Sequence, residues 1–264
     1  MAEYQPRKIV LAYSGGLDTS VILPWLKERY PGVKLVAFAA ELGQGQELAG
    51  IEDKARKSGA DEVVVMDLQR EFAEKYCFPM LRAHAIYEQD YLLGTSIARP
   101  LIAAKQVEVA HQTNADAVGH GATGKGNDQV RFELTYMALH PNLKIIAPWK
   151  DTKFELRDRE SAIDYAQKHG IPVAQSKKKI YSQDRNLWHI SHEGAEIEEP
   201  NTEPNWEACL TMTVPPEKAP DKAEIISVDF EAGTPIAVNG KKLAGDQLIA
   251  ELNKIGGKHG VGIT

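Results

Sequence analysis

Apolar residues fall along this chain in short runs, separated by longer stretches in which apolar positions recur at helical spacing. Residues 8–14 (KIVLAYS) form one such run, partly β-branched and ending at a glycine pair, which predicts a buried strand leading into a tight turn. Over 19–30 the apolar positions Val21, Ile22, Trp25 and Leu26 predict a helix, with Pro24 in the first turns where proline is tolerated. Further strand-like runs lie at 33–40, 62–68, 115–120 and 144–148, and helix-like stretches near 47–58, 69–83, 97–113, 128–139 and 157–169. Strands alternating with helices imply right-handed βαβ crossovers. Residues 1–170 are therefore expected to form an α/β domain, a Rossmann-like, mostly parallel sheet with helices on both faces.

After Gly170 the texture changes to a basic stretch at 177–179, an acidic one at 193–199, and prolines at 200, 204, 215, 216 and 220. This predicts an irregular connection along the surface. Alternation at 225–230 and 235–238 flanks a turn, Asn239-Gly240 adds a hairpin signal, and 247–255 reads as a helix. A second, α+β domain over 171–264 is expected. The final stretch, GVGIT, offers no capping element, so the domain is expected to be partial, with apolar faces of the hairpin and helix at 223–256 left without a partner.

Composition narrows the function classes. The 264 residues are 43% hydrophobic and 26% charged, proportions that bury one good core and part of a second. Lys and Arg number 31 against 37 Asp and Glu, a net charge of −6, and neither half is a basic arm, so nucleic acid is a poor partner. The longest early apolar run is about five residues, far short of the roughly 20 that span a bilayer, so a cytoplasmic protein without membrane attachment is expected. Cys77 and Cys209 lie apart, with no CxxC or Cys/His cluster, and read as free thiols rather than a disulfide or zinc site.

Three clusters carry chemistry. The first is Ser14-Gly15-Gly16-Leu17-Asp18-Thr19-Ser20, between a predicted strand and a predicted helix. Backbone N–H groups at a glycine turn, added to the positive end of a helix dipole and the hydroxyls of Ser14, Thr19 and Ser20, make a site for pyrophosphate. The bland alternative is a plain turn in which Asp18 caps the helix. The second is His120-Gly121-Ala122-Thr123-Gly124-Lys125-Gly126-Asn127-Asp128, leading to Arg131, where glycines admit a ligand close to backbone and one loop displays an imidazole, an ammonium, an amide, a carboxylate and a guanidinium. An exposed turn with Asp128 as N-cap would explain Asp128 but not His120. The third, 87–100, sets Tyr91, Thr95 and Ser96 before a helix, which suits a substrate carboxylate or simple capping equally.

Two loops imitate other nucleotide signatures. GHGATGKG at 119–126 has Gly126 where a P-loop needs Ser or Thr, and Gly43-Gln44-Gly45 lacks the third glycine and follows the second strand.

AYSGGLDTS at 12–20, YLLGTSIARP at 91–100 and HGATGKGNDQVRFEL at 120–134 together resemble the argininosuccinate synthase family of N-type ATP pyrophosphatases. The resemblance runs essentially from Lys8 to Gly262. SGGxD alone marks only a PP-loop site, shared with tRNA-thiolating enzymes and amidotransferase synthetases; the long third string is far more specific. The resemblance implies an adenine nucleotide α-hydrolase-like fold. It implies an ATP site at Ala12, Tyr13, Ser14, Gly15, Gly16, Leu17, Asp18, Thr19, Ser20, Ala40 and Gly121. It implies citrulline held by Tyr91, Ser96, Asn127, Arg131, Ser182 and Ser191, and aspartate by Thr95, Thr123, Asn127 and Asp128. Arg131 suits a carboxylate and Asp128 an α-ammonium.

The implied reaction joins citrulline and aspartate at the expense of ATP, giving argininosuccinate, AMP and pyrophosphate through a citrullyl-adenylate. Alignment and charge stabilisation serve such chemistry better than a protein nucleophile. Asp18, His120 and Lys125 are the expected catalytic groups, with magnesium near Asp18 rather than in a protein metal cluster. The family's homotetramer is the expected assembly. The chain is also expected to lack the family's C-terminal part, which leaves a nucleotide-binding module without turnover as the alternative; a tRNA-modifying enzyme is disfavoured by the acidic balance and the third string.

Overall fold

The computed structural model describes residues 4–124, 126–156, 158–172 and 181–263. In chain order the elements are β1 (Lys8–Ala12), α1 (Leu17–Arg29), β2 (Lys34–Glu41), α2 (Ile51–Lys57), β3 (Glu62–Asp67), α3 (Gln69–Phe72), α4 (Phe78–Arg82), α5 (Gly94–Gln112), β4 (Ala117–Gly119), α6 (Asn127–Leu139), β5 (Lys144–Ile146), α7 (Arg159–Lys168), β6 (Ser182–Arg185), β7 (Ile190–Glu193), α8 (Trp206–Cys209), β8 (Val228–Glu231), β9 (Thr234–Val238), β10 (Lys241–Lys242) and α9 (Gly245–Lys258). The chain divides into two units: residues 1–67 with 99–175, and residues 68–98 with 176–264.

The first unit holds a parallel five-stranded sheet in the order β3-β2-β1-β4-β5. β1 and β2 are buried almost throughout, as strands covered on both faces must be. Its core gathers Ile9, Leu11, Ile22, Leu26, Leu35 and Phe154. Pro24 stands inside α1 rather than in its first turn, because the helix starts at Leu17. Strand β1 is anchored by Asp116, which accepts hydrogen bonds from the backbone N–H of Arg7 and Lys8 at 3.0 and 2.9 Å. From β1 the chain crosses to β2 on one side, and from β4 to β5 on the other. The connections therefore diverge between β1 and β4, and their carboxyl ends flank a topological switch point, where open α/β sheets bind ligands.

The second unit holds a three-stranded sheet, β10-β9-β8, and the separate β6–β7 hairpin. The turn between β8 and β9 places Ala232 and Gly233 at positive φ, and Asn239-Gly240 repeats that geometry before β10, as a tight antiparallel hairpin requires. The expected partnerless faces are covered. α9 buries Leu248 and Ile249, β9 buries Ala237 and Val238, and α9 packs on β9 and on the α3–α4 segment, where Phe72, Ala73, Cys77 and Phe78 are buried. The glycine-rich tail is also a cap: Val261 N–H reaches the Gly256 carbonyl at 3.0 Å and Gly260 N–H the Gly257 carbonyl at 3.4 Å, with Gly260 at φ 68°. This is a Schellman closure, which needs a residue free to turn left-handed rather than a polar side chain.

The stretch after Gly170 is not wholly irregular, since β6 and β7 pair antiparallel there. The basic residues 177–179 lie outside the described residues.

Candidate functional site

Strand β1 ends at Ala12, and after four intervening residues α1 begins at Leu17. Gly15 takes φ +75°, a conformation open to glycine and strained for side chains, whereas Gly16 is the N-cap of α1 at φ −69°. No side chain caps α1, so Asp18 is an acidic residue of its first turn and not its cap. Partial desolvation raises the Asp18 carboxyl above its ordinary pKa, and Arg159 opposes that rise.

The hydroxyls of this turn bond to one another. Ser14 Oγ accepts the Gly16 N–H at 3.2 Å and lies 3.1 Å from Thr19 Oγ1, while buried Ser20 pairs with the Tyr13 hydroxyl at 3.0 Å. Ala40 lies near the end of β2, and its carbonyl accepts the Gln44 side-chain amide at 2.9 Å, so Gln44 closes the 43–45 loop that resembles a dinucleotide signature.

The loop after β4 faces the same helix. A Cβ on Gly121 would stand 3.0 Å from Thr19 Cγ2 and 3.3 Å from Ile22 Cδ1, so this glycine lets the 120–126 loop approach the start of α1. His120 is fully buried and stacks on Phe132 with centroids 5.4 Å apart. Its Nε2 lies 3.4 Å from Glu133 Oε1, and its Nδ1 has no hydrogen-bond partner. Burial pulls the His120 pKa below its ordinary value, with Glu133 opposing. Lys150 pairs with Glu133 at 3.1 Å. Burial alone would raise the Glu133 pKa; Lys150, with smaller help from Gln129 and His120, more than offsets it and holds it low.

Lys125 lies outside the described residues. Gly126 is the N-cap of α6 without side-chain help, so Asp128 is not a cap either. Its carboxylate instead sits between two guanidinium groups, accepting from Arg99 Nε at 2.9 Å and from Arg131 Nη1 at 2.7 Å. Thr123 and Asn127 are exposed on the same loop.

In the second unit, Tyr87 and Tyr91 close a small turn through mutual backbone hydrogen bonds, with Glu88 and Gln89 at positive φ between them. The Tyr91 hydroxyl accepts the backbone N–H groups of Thr95 and Ser96 at 3.2 and 3.3 Å, at the start of α5. The Thr95 hydroxyl donates to Asp184 at 2.9 Å and lies 2.9 Å from His189 Nε2. Asn186, between β6 and β7, donates to the Gly94 carbonyl at 3.2 Å. Ser182 on β6 and Ser191 on β7 are exposed. Thus Asn127, Asp128 and Arg131 belong to the first unit, and Tyr91, Thr95, Ser96, Ser182 and Ser191 to the second.

A glycine turn at a helix N-terminus, at the switch point of a parallel sheet, defines a nucleotide-binding α/β protein. A profile described as the arginosuccinate synthase N-terminal HUP domain matches residues 8–172, and one described as the arginosuccinate synthase C-terminal domain matches 181–264. The chain belongs to the argininosuccinate synthase family. It is 59% identical over 257 residues to the argininosuccinate synthase of Carboxydothermus hydrogenoformans, covering 97% of this chain and 63% of that one. It is 58% identical to the chloroplastic enzyme of Arabidopsis thaliana, covering 97% and 51%. Among solved structures, a U34-tRNA thiolase of Methanococcus maripaludis aligns at 16% identity and a TM-score of 0.41, over 66% of this chain and 60% of that one. The chain thus spans less than two thirds of the length of these curated relatives. The expected lack of the family's C-terminal part is corrected by the second profile, whose match covers the second unit's sheet and α9.

Sequence reasoning missed two side chains that organise the first unit, Lys54 and Gln106, and the partner of a third, Arg99, whose guanidinium it placed in the 87–100 cluster. The Lys54 ammonium donates to the Gly15 carbonyl. Buried Gln106 donates to the carbonyls of Val10 and Gly119 at 2.7 and 2.8 Å, tying β1 to β4 just short of the switch point. Arg99 shares Asp128 with Arg131. No periodicity or motif marks Lys54 or Gln106, and none pairs Arg99 with Asp128, since each acts on a partner far along the chain.

Proposed function

We propose that the chain catalyses the ATP-dependent joining of citrulline and aspartate to argininosuccinate, releasing AMP and pyrophosphate. The observation that carries this reading is the 14–20 turn: a left-handed Gly15 and an N-cap glycine at the start of α1, approached by the Gly121 loop. Family membership supplies the substrates.

In this reading Ala12–Ser20, Ala40 and Gly121 hold ATP. Arg131 receives the citrulline carboxylate, and Asp128 the aspartate ammonium, so two residues now paired with each other exchange partners when substrates arrive. Asn127 reaches both amino acids, with Thr123 and Thr95 on aspartate and Tyr91, Ser96, Ser182 and Ser191 on citrulline. The ureido oxygen attacks the α-phosphorus, pyrophosphate leaves, and the aspartate amine then displaces AMP. These steps need alignment and charge stabilisation, to which Asp18, His120 and Lys125 are assigned.

Among the described residues, no three His, Cys, Asp or Glu side chains gather as a metal site. Asp18 fits as a single carboxylate beside a magnesium ion carried in by the nucleotide, which would neutralise pyrophosphate charge. The same reading places the protein in arginine biosynthesis, in the cytoplasm and as a homotetramer. Among the described residues no helix is long and apolar enough to cross a membrane.

The test is pyrophosphate release by the full chain. Release that requires ATP, citrulline and aspartate together supports the proposal. ATP binding without release under any combination would favour a nucleotide-binding module instead.

A further inference from the structure

Within the second unit, the Thr95 hydroxyl near the start of α5 meets two side chains of the β6–β7 hairpin, Asp184 Oδ2 and His189 Nε2, each at 2.9 Å. The hairpin is clasped there by further bonds. Buried Asn186 donates to the Gly94 carbonyl at 3.2 Å and accepts the backbone N–H groups of Trp188 and His189, while the Trp188 indole donates to the Leu92 carbonyl at 3.0 Å. A Cβ on Gly94 would overlap the His189 ring, so the glycine makes room for the imidazole. Asp184 pairs across the hairpin with Ser191 and lies two residues from Ser182, so strand alternation puts it on the same face as both serines assigned to citrulline.

A hydroxyl has one proton to give and two lone pairs with which to accept. The Asp184 carboxylate only accepts, so it takes the Thr95 proton, and His189 Nε2 must then donate to the Thr95 oxygen. Among the described residues, one lone pair remains. The backbone N–H groups of Thr95 and Ser96 are taken up by the Tyr91 hydroxyl. Thr95 therefore meets a ligand as an acceptor, which suits an ammonium and not a carboxylate.

We propose that Asp184 and His189 are positioning residues, which fix the polarity of the Thr95 hydroxyl so that it recognises the α-ammonium of an amino-acid substrate. The inference rests on Thr95 serving aspartate. An α-ammonium carries three N–H donors, so one acceptor on Thr95 leaves donors for the Asp128 carboxylate.

Two measurements test it. Histidine ¹⁵N NMR of the unsubstituted chain at neutral pH, with His189 assigned by its loss in His189→Gln, should find Nε2 protonated; a bare Nε2 would overturn the inference without touching the aspartate assignment. Calorimetric titration then compares aspartate with succinate, the same dicarboxylate without the ammonium, with circular dichroism to confirm folding. Thr95→Val and Asp184→Ala should each weaken aspartate by about tenfold, as loss of one hydrogen bond to a charged group implies, and leave succinate no weaker than before. Asp184→Asn restores an acceptor for the Thr95 proton and should recover part of the loss. Equal weakening of aspartate and succinate would overturn the inference, showing that the hairpin only scaffolds α5. Loss in Asp184→Ala without loss in Thr95→Val would also overturn it, placing the ammonium on Asp184 itself. If the unsubstituted chain binds no aspartate, the underlying assignment falls and takes the inference with it.

Discussion

Arg131 and Asp128 face each other across one turn of α6, with guanidinium Nη1 2.7 Å from carboxylate Oδ1. Arg99 reaches the other oxygen of the same carboxylate at 2.9 Å, so one negative charge is shared between two planar cations. Arg131→Lys keeps the charge but loses the fork that grips a carboxylate with two parallel bonds. Citrulline binding should weaken by about tenfold or more, with ATP binding nearly unchanged. Titration with each ligand decides it; equal loss of both would show that Arg131 supports the loop rather than recognising a substrate.

The two glycines of the 14–20 turn should respond differently to substitution. Gly15→Ala forces a side chain into a left-handed backbone, at a cost of about 1–2 kcal/mol. Gly16→Ala meets only Ser14 Oγ, at 3.3 Å, in an ordinary extended conformation. ATP affinity and the thermal midpoint should fall more for Gly15→Ala. The reverse order would refute the geometry of the turn.

Gly121→Ala should weaken ATP binding by overpacking. The added methyl would stand 3.0 Å from Thr19 and 3.3 Å from Ile22, both buried and with little room to retreat. Such crowding costs about 1–3 kcal/mol, and here it presses on the first turns of α1. A variant with parental ATP affinity and thermal midpoint would show that the β4 loop and α1 need no close approach.

Acid should destabilise the first unit in two stages. Burial lowers the His120 pKa, so between that value and about 6.5 the unfolded chain binds more protons than the folded one, and stability drains as pH falls through this window. The Glu133 pKa is also lowered, through Lys150 against the effect of burial, and its contribution is lost below about pH 4.3. Thermal midpoints measured from pH 8 to 4 should therefore fall. His120→Gln should flatten the upper part of that profile and leave the lower part; an unaltered upper slope would mean that His120 does not set it.

Cys77 should be chemically silent in the native chain. It is fully buried, and burial pushes its thiol pKa up to about 12, so almost no thiolate exists at neutral pH. Mass spectrometry after iodoacetamide should find Cys77 unmodified until denaturant is added. Labelling of the native protein would place this residue outside the core.

The local parts of this fold were legible because they obey short-range rules. The 8–14 run, the glycine pair and the spacing of Val21, Ile22 and Leu26 each announce an element through its own period, and observed boundaries differ from expected ones by a few residues. The long string at 120–134 stood out by its density of polar groups among glycines. The β6–β7 hairpin escaped notice because its strands are short, polar and half exposed, with no apolar alternation to betray them. Likewise, neither Asp18 nor Asp128 could be judged a cap without backbone geometry.

Sequence alone determined the alternation of strand and helix, the glycine turn that opens α1, and the identities of the side chains at 120–131, since backbone period and turn chemistry act over a few residues. Only tertiary structure decided that residues 68–98 belong with the second unit and that α9 is covered by them. It also decided that Gln106 reaches Val10 of β1 across 96 residues and that Lys54 reaches Gly15 across 39. Those partners meet because burying the apolar faces of the sheet and helices fixes which chain segments lie side by side, and a buried polar group must then find its hydrogen bond wherever that packing has placed it.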